Sequence, residues 1–413
     1  MSLFFLRPPF SGIATNMDNL NDRTAPKPAK ETNKRSDYGA FSRGAISWRA
    51  NRRAAGGLGR KRVAGRMLLC LFTLLCLGSC MDYGPLDEEE FGGSSPAGDG
   101  LFVLNEGNFM YGNASLSYYI PSKKRVQNEV FSRANGIALG DVAQSMTIRG
   151  KRGYIVVNNS GVIFVIDTDT FKVVGTVTGL VSPRYVHFVS DTKAYVTDLY
   201  DSRITIFDPQ TLEITGHIPL NGHKSAEQMV QLGDTVFTNC WSYDNKILVI
   251  DALRDELVDS ITVGIQPTAL ALDKHGKLWT VTDGGYEGSP YGHETPALWR
   301  IDAKTLQVER RFGLPMEERP SELALNGTRD TLYFLNRGVW GLPVEADALP
   351  AAAFIPYSGT IYYGLAVDPR SSEVYVGDAI DYVQPGVVYR FTPRGVAVDT
   401  FRVGITPGAF CFK

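Results

Sequence analysis

Ala194-Tyr195-Val196-Thr197-Asp198-Leu199-Tyr200-Asp201-Ser202-Arg203-Ile204-Thr205-Ile206-Phe207-Asp208-Pro209-Gln210-Thr211 reads as a short β-strand, a polar exit, a second strand and a tight turn. Asp208 at the first turn position accepts hydrogen bonds from the amides that follow, and Pro209 presets φ at the second, which makes the segment part of a hairpin series. The same unit recurs along the chain. Its strand is marked by an aromatic residue at Phe102, Tyr154, Tyr195, Phe237, Trp279, Tyr333 and Tyr375, spaced 52, 41, 42, 42, 54 and 42 residues apart. Those spacings lie near the ~40–45-residue period of a four-stranded propeller blade. Equivalent turns follow at Asp167-Thr168-Asp169-Thr170, Asp251-Ala252 and Asp302-Ala303-Lys304-Thr305, fourth strands at 172–177, 213–218, 257–263 and 307–312, and Pro-containing steps at Pro183, Pro267 and Pro320.

Seven units of four strands predict an all-β fold over residues 101–413, a seven-bladed β-propeller of four-stranded antiparallel blades. The segment at 101–105 matches the second strand of a unit, whereas Thr406-Pro407-Gly408-Ala409-Phe410-Cys411-Phe412 matches a first strand. The C-terminal strand is therefore expected to join the N-terminal blade and close the ring, leaving no open edge between first and last blades.

The first hundred residues read as an address. Met67-Leu68-Leu69-Cys70-Leu71-Phe72-Thr73-Leu74-Leu75-Cys76-Leu77 is too short an apolar run to span a bilayer; Arg60, Lys61, Arg62 and Arg66 precede it and Gly78-Ser79-Cys80 follows. This is a signal-peptide layout over 67–79. The Leu77-Gly78-Ser79-Cys80 quartet resembles the bacterial lipobox, which implies lipidation of Cys80 and an anchor of two or more acyl chains. Residues 80–100, with Asp87-Glu88-Glu89-Glu90 and a Gly/Ser/Pro stretch, read as an acidic flexible tether. A signal peptide placed so late points to translation starting near Val63 or Met67, with 1–66 a start-site artefact or a disordered segment. Residues 1–66 carry 14 Lys/Arg against 4 Asp/Glu, leaving 28 against 40 for 67–413. So acidic a body argues against nucleic acid as a partner.

Tyr195-Val196-Thr197-Asp198, with its copies Val236-Phe237-Thr238-Asn239 and Tyr375-Val376-Gly377-Asp378, resembles the YVTN-repeat (YncE-like) propeller family over residues 101–413. The lipobox, the acidic tether and the octet Leu101-Phe102-Val103-Leu104-Asn105-Glu106-Gly107-Asn108 are similar to surface lipoprotein propellers of Bacteroidetes. The resemblance implies a lipid-anchored protein of the outer membrane facing the cell exterior. Some members of that group capture cobalamin and pass it to an outer-membrane transporter barrel, which makes cobalamin a candidate ligand and such a barrel a candidate partner.

The strand-two exits share a face with the connections between blades, and six of the seven carry aromatic residues, whereas the opposite turns are almost free of them. Large amphipathic side chains on one face point to ligand binding. Candidate ligand-binding residues are Phe109, Tyr111, Tyr185, Tyr200, Trp241, Tyr243, Tyr286, Trp340, Tyr363 and Tyr382, with Gln144, Asn159, Arg184 and Arg337 as polar donors. A glycan would use much the same side chains as a corrin, and a protein partner is a third reading. Asn or Asp at the end of strand two recurs in nearly every unit, which fits a turn rule better than a site. No Gly-x-Ser-x-Gly elbow and no paired acids mark catalysis. The five histidines and five cysteines show no ligand spacing, so neither a disulfide framework nor a metal site is expected. The enzymatic alternative, by analogy with propeller lactonases, is a central metal ion held by Glu227, Glu322 and Asp198.

Overall fold

The structure, a computed structural model, describes residues 100–242 and 244–413; the segments assigned above to the leader, to Cys80 and to most of the tether lie outside the described residues, as does Tyr243. The repeated segments pair into seven antiparallel sheets arranged as the blades of a closed propeller. Blade 1 is built in the order Pro407–Phe412, Leu101–Asn105, Ser115–Ile120 and Arg125–Gln127, so the last strand of the chain supplies its innermost position. Backbone bonds extend the closure beyond the ladder, from Glu106 N to Thr406 O (2.9 Å), Gly107 N to Ile405 O (3.0 Å) and Lys413 N to Gly100 O (2.9 Å). The innermost strands of blades 2 to 7 are Ala143–Arg149, Pro183–Phe188, Ala226–Leu232, Pro267–Leu272, Ser321–Leu325 and Tyr362–Val367. Among the described residues no helix is long and apolar enough to cross a membrane.

Alternation along each second strand sends successive side chains to opposite faces, and each face is covered by a neighbouring blade. Seven apolar clusters result, one per blade interface. Each of the seven marker aromatics belongs to a different cluster and is buried there. Burying a side chain of this size contributes roughly 1.5–3 kcal/mol. The polar tips reach across as well: Tyr154 donates to Pro209 O in the next blade (2.9 Å) and Tyr195 to the carboxylate of Asp255.

Five turns, four between third and fourth strands and one, at Asp368, between the first two strands of blade 7, follow one chemical rule. Asp167, Asp208, Asp251, Asp302 and Asp368 each accept a backbone amide two residues on, as in Asp302 from Lys304 N (2.9 Å). The fourth residue after each lies in the left-handed region: Phe171, Leu212, Asp255, Leu306 and Ser372 have φ of 58–65°. Non-glycine residues pay strain there. Phe171 offsets it by packing on Phe102 and Tyr118 of blade 1, and Leu212 by filling the space over Gly175 of blade 2.

Blade 6 departs from the expected four strands. Its sheet contains only Ser321–Leu325, Thr331–Asn336 and Gly338–Pro343, and a single bridge from Val339 to Ile355 replaces the outer strand. The stretch that should form it, Leu349-Pro350-Ala351-Ala352-Ala353-Phe354-Ile355-Pro356, carries two prolines that lack the amide a ladder needs. The second and third strands of this blade join through Arg337 alone (φ 60°).

Candidate functional site

All seven innermost strands share a local irregularity. The first residue pairs with strand two, then the register slips: after Ala143, Pro183, Ala226, Pro267, Ser321, Tyr362 and Pro407. A β-bulge of this kind re-aims a side chain that would otherwise face the neighbouring blade. The second position of each strand is thereby Gln144, Arg184, Glu227, Thr268, Glu322, Tyr363 and Gly408, one from every blade. Backbone strain accompanies it. Val142, Ser225, Gln266 and Thr406, immediately before four of these strands, and Glu322 itself have φ of 53–63°. For β-branched Val142 and Thr406 that conformation is a genuine outlier, of the kind that persists where the surroundings enforce it.

Five of the seven positions line one cavity of about 440 Å³, together with Tyr185, Trp241, Asp283, Arg319, Arg337, Tyr357, Tyr362 and Tyr382. Arg184 is almost fully buried; its Nε donates to Glu227 (2.7 Å) and its Nη1 to Gln144 Oε1 (2.6 Å), linking blades 2, 3 and 4. Gln144 reaches Tyr185 Oη in turn (3.4 Å). The glycine of the ring is explained by closure. A Cβ at Gly408 would collide with the carboxylate of Glu106, which follows strand two of blade 1 and accepts the hydroxyl of Tyr363 (2.9 Å). An acid borrowed from another strand thus adjoins the position that blade 1 leaves without a side chain.

Asp283 is a buried carboxyl lining the cavity. Burial pushes its pKa up to about 7, against the opposing pull of the Gly285 amide (2.8 Å) and the Arg319 charge. Tyr363 and Tyr382 meet edge to face (centroids 5.6 Å), and burial raises the Tyr382 hydroxyl far above its usual range.

Of the residues singled out in the sequence, Arg184, Tyr185, Trp241, Arg337, Tyr363 and Tyr382 line this cavity, and Gln144 adjoins it through Arg184. Others do not. Tyr111 and Tyr200 are largely exposed on their loops, Phe109 is half-buried in its turn, and Asn159 is tied to the carboxylate of Asp141. Tyr286 sits in the 284–296 excursion, which is not loose at its base: Glu294 N bonds Gly284 O (2.9 Å), and the Glu294 carboxylate accepts Ile265 N (2.6 Å). Trp340 requires correction. It lies inside a strand, because the turn before it is so tight, and it stacks on Phe334 (6.4 Å) in the core between blades 5 and 6. The proposed acid trio is also not assembled. Asp198 accepts the amides of Ser182, Tyr200 and Asp201, which spends it on the turn. Sequence reading missed Glu106, Asp283 and Arg319 as cavity or near-cavity residues, whereas Tyr362, at a blade entry, was legible as part of the aromatic face. Aligning the units on the residue after each small or proline strand start would have exposed six of the seven ring positions, blade 7 starting instead with Tyr362.

The fold and its polar axial mouth define a closed seven-bladed β-propeller with one candidate ligand funnel. The chain belongs to the DUF5074 family, described as a domain of unknown function, whose sequence profile matches residues 99–329. No curated protein matches it. Among solved structures it is similar to a quinonprotein alcohol dehydrogenase-like protein from Bacteroides thetaiotaomicron, 14% identical over 76% of this chain and 78% of that one, with a TM-score of 0.59. It is also similar to a Bacteroides fragilis protein described as a candidate 6-phosphogluconolactonase (13%, 78% and 99%, TM-score 0.58) and to a protein from Lactobacillus plantarum (15%, 76% and 99%, TM-score 0.57). At such identities these likenesses speak to the fold alone.

Proposed function

We propose that the propeller is a non-enzymatic receptor that captures a small, hydroxyl-rich ligand in the axial funnel, held at the cell surface by a lipid on Cys80. The observation that carries this reading is the bulged ring, because it spends backbone strain to gather polar groups beneath an aromatic rim. Tyr185 and Trp241 face the funnel from blades 3 and 4, Tyr363 and Tyr382 from blade 7, which suits ring faces between them. Carboxylates such as Glu322 suit vicinal hydroxyls. The cavity of about 440 Å³ falls in the range of small-ligand pockets, roughly 300–1,000 Å³, and accommodates a short oligosaccharide. Cobalamin is larger and would lie across the mouth with one edge inserted, followed by hand-over to a transporter barrel. Calorimetry against oligosaccharides and cyanocobalamin distinguishes the two. Trp241→Ala should weaken binding of the true ligand at least tenfold, whereas Trp340→Ala should lower the melting temperature and leave affinity intact. Equal affinity in wild type and Trp241→Ala would refute the site.

One observation favours a second reading. A buried carboxyl with a pKa near 7 in a cavity is matched to general acid or base work at neutral pH. Turnover of lactones or glycosides by the wild type, abolished in Asp283→Asn, would move the assignment from receptor to hydrolase.

A further inference from the structure

Blade 4 gathers a second set of groups beside the funnel. His223 comes from the connection leading into the blade, Cys240 ends its second strand Thr235–Cys240, and Asp244 lies in the loop that follows. They are 17 and 4 residues apart, a spacing without a recognisable motif, and the fold alone brings them together. The imidazole nitrogen, the thiol sulfur and a carboxylate oxygen all lie within 4.8 Å of one another, with His223 Nδ1 2.7 Å from Asp244 Oδ2. Among the described residues this is the one such trio of potential metal ligands.

We propose that His223, Cys240 and Asp244 bind a borderline-soft divalent cation, with zinc the best match. One sulfur, one nitrogen and one oxygen are the donor types zinc takes, at ~2.3 Å for sulfur and ~2.0–2.2 Å for nitrogen and oxygen, and three protein ligands leave a fourth position open. Side-chain rotations bring the three atoms onto one centre, since none is more than 4.8 Å from another. The local charge also favours a cation. Asp244 brings its carboxylate into the trio, within hydrogen-bond reach of His223. As the metal–sulfur bond forms, the thiol releases its proton to solvent. Trp241 sits between two of the ligands in sequence and lines the funnel, so the ion would clamp the loop that carries it.

The test uses the full chain with Cys70, Cys76 and Cys80 replaced by Ser, which leaves Cys240 and Cys411. Titration with cobalt(II) should give a thiolate-to-metal charge-transfer band and tetrahedral d–d bands saturating at one ion per chain, displaced by zinc. Cys240→Ser should abolish the charge-transfer band and Cys411→Ser should retain it. His223→Gln alters a side chain near the surface, so it keeps the test open if Cys240→Ser does not fold; it should weaken zinc at least tenfold by calorimetry, with an unchanged circular dichroism spectrum. A folded parent chain without the band, a band that survives in Cys240→Ser, or unchanged zinc affinity in His223→Gln would overturn the proposal.

Discussion

Trp279 shows how a single side chain serves a blade and its neighbour at once. It is fully buried between blades 5 and 6, stacks on Phe312 (6.0 Å) and donates its indole N–H to Asp273 Oδ2 (2.9 Å). Trp279→Ala should therefore destabilise the fold by about 3–5 kcal/mol, read from denaturant unfolding. Asp283 makes a prediction of another kind. Its folded pKa of about 7 exceeds the roughly 3.9 of an unfolded aspartate, so the folded state holds the proton longer. The resulting stability is present in full below about pH 4 and is lost as pH rises through about 7. Unfolding midpoints should fall across that window, and Asp283→Asn should flatten this part of the profile; an identical slope in both proteins would remove the assignment. The marker aromatics were legible in the sequence because every blade must bury the same face, so residue type repeats. The funnel was only half legible, because its seven positions share geometry and differ in chemistry from blade to blade, as the change from Arg184 to Glu227 to Thr268 shows. Trp340 was misplaced for a local reason: a turn of one residue leaves no loop to carry it.

The C-terminal strand is the element on which the ring depends. Without Pro407–Phe412, blade 1 would lose its innermost strand, and Phe410 and Phe412 their places against blade 7. Truncation after Ile405 should convert cooperative unfolding into an aggregation-prone state with exposed apolar surface, detectable by dye binding. A truncated chain with the wild-type melting temperature would mean that closure is not what stabilises the propeller. Closure was visible in advance, since the final segment has the pattern of a first strand and the initial one that of a second. The missing outer strand of blade 6 was not, because Pro350 and Pro356 act through absent amides at an edge, where apolar pattern carries little information.

At the scale of the whole chain, the proposed lipid anchor on Cys80 makes its own prediction. Cys80→Ala should move it from the membrane fraction to the soluble one with its propeller intact, as judged by circular dichroism. The central claim is that function resides on the axis, where seven bulges converge. Thr268→Trp places an indole in the funnel from an innermost strand whose side chain is only partly buried. Calorimetric titration of wild type and Thr268→Trp against one panel of short oligosaccharides and cyanocobalamin tests it. The account predicts saturable one-to-one binding of one of these ligands by the wild type, lost in the variant at an unchanged melting temperature. Undiminished binding in the variant, or no binding of either class by the wild type, would contradict it.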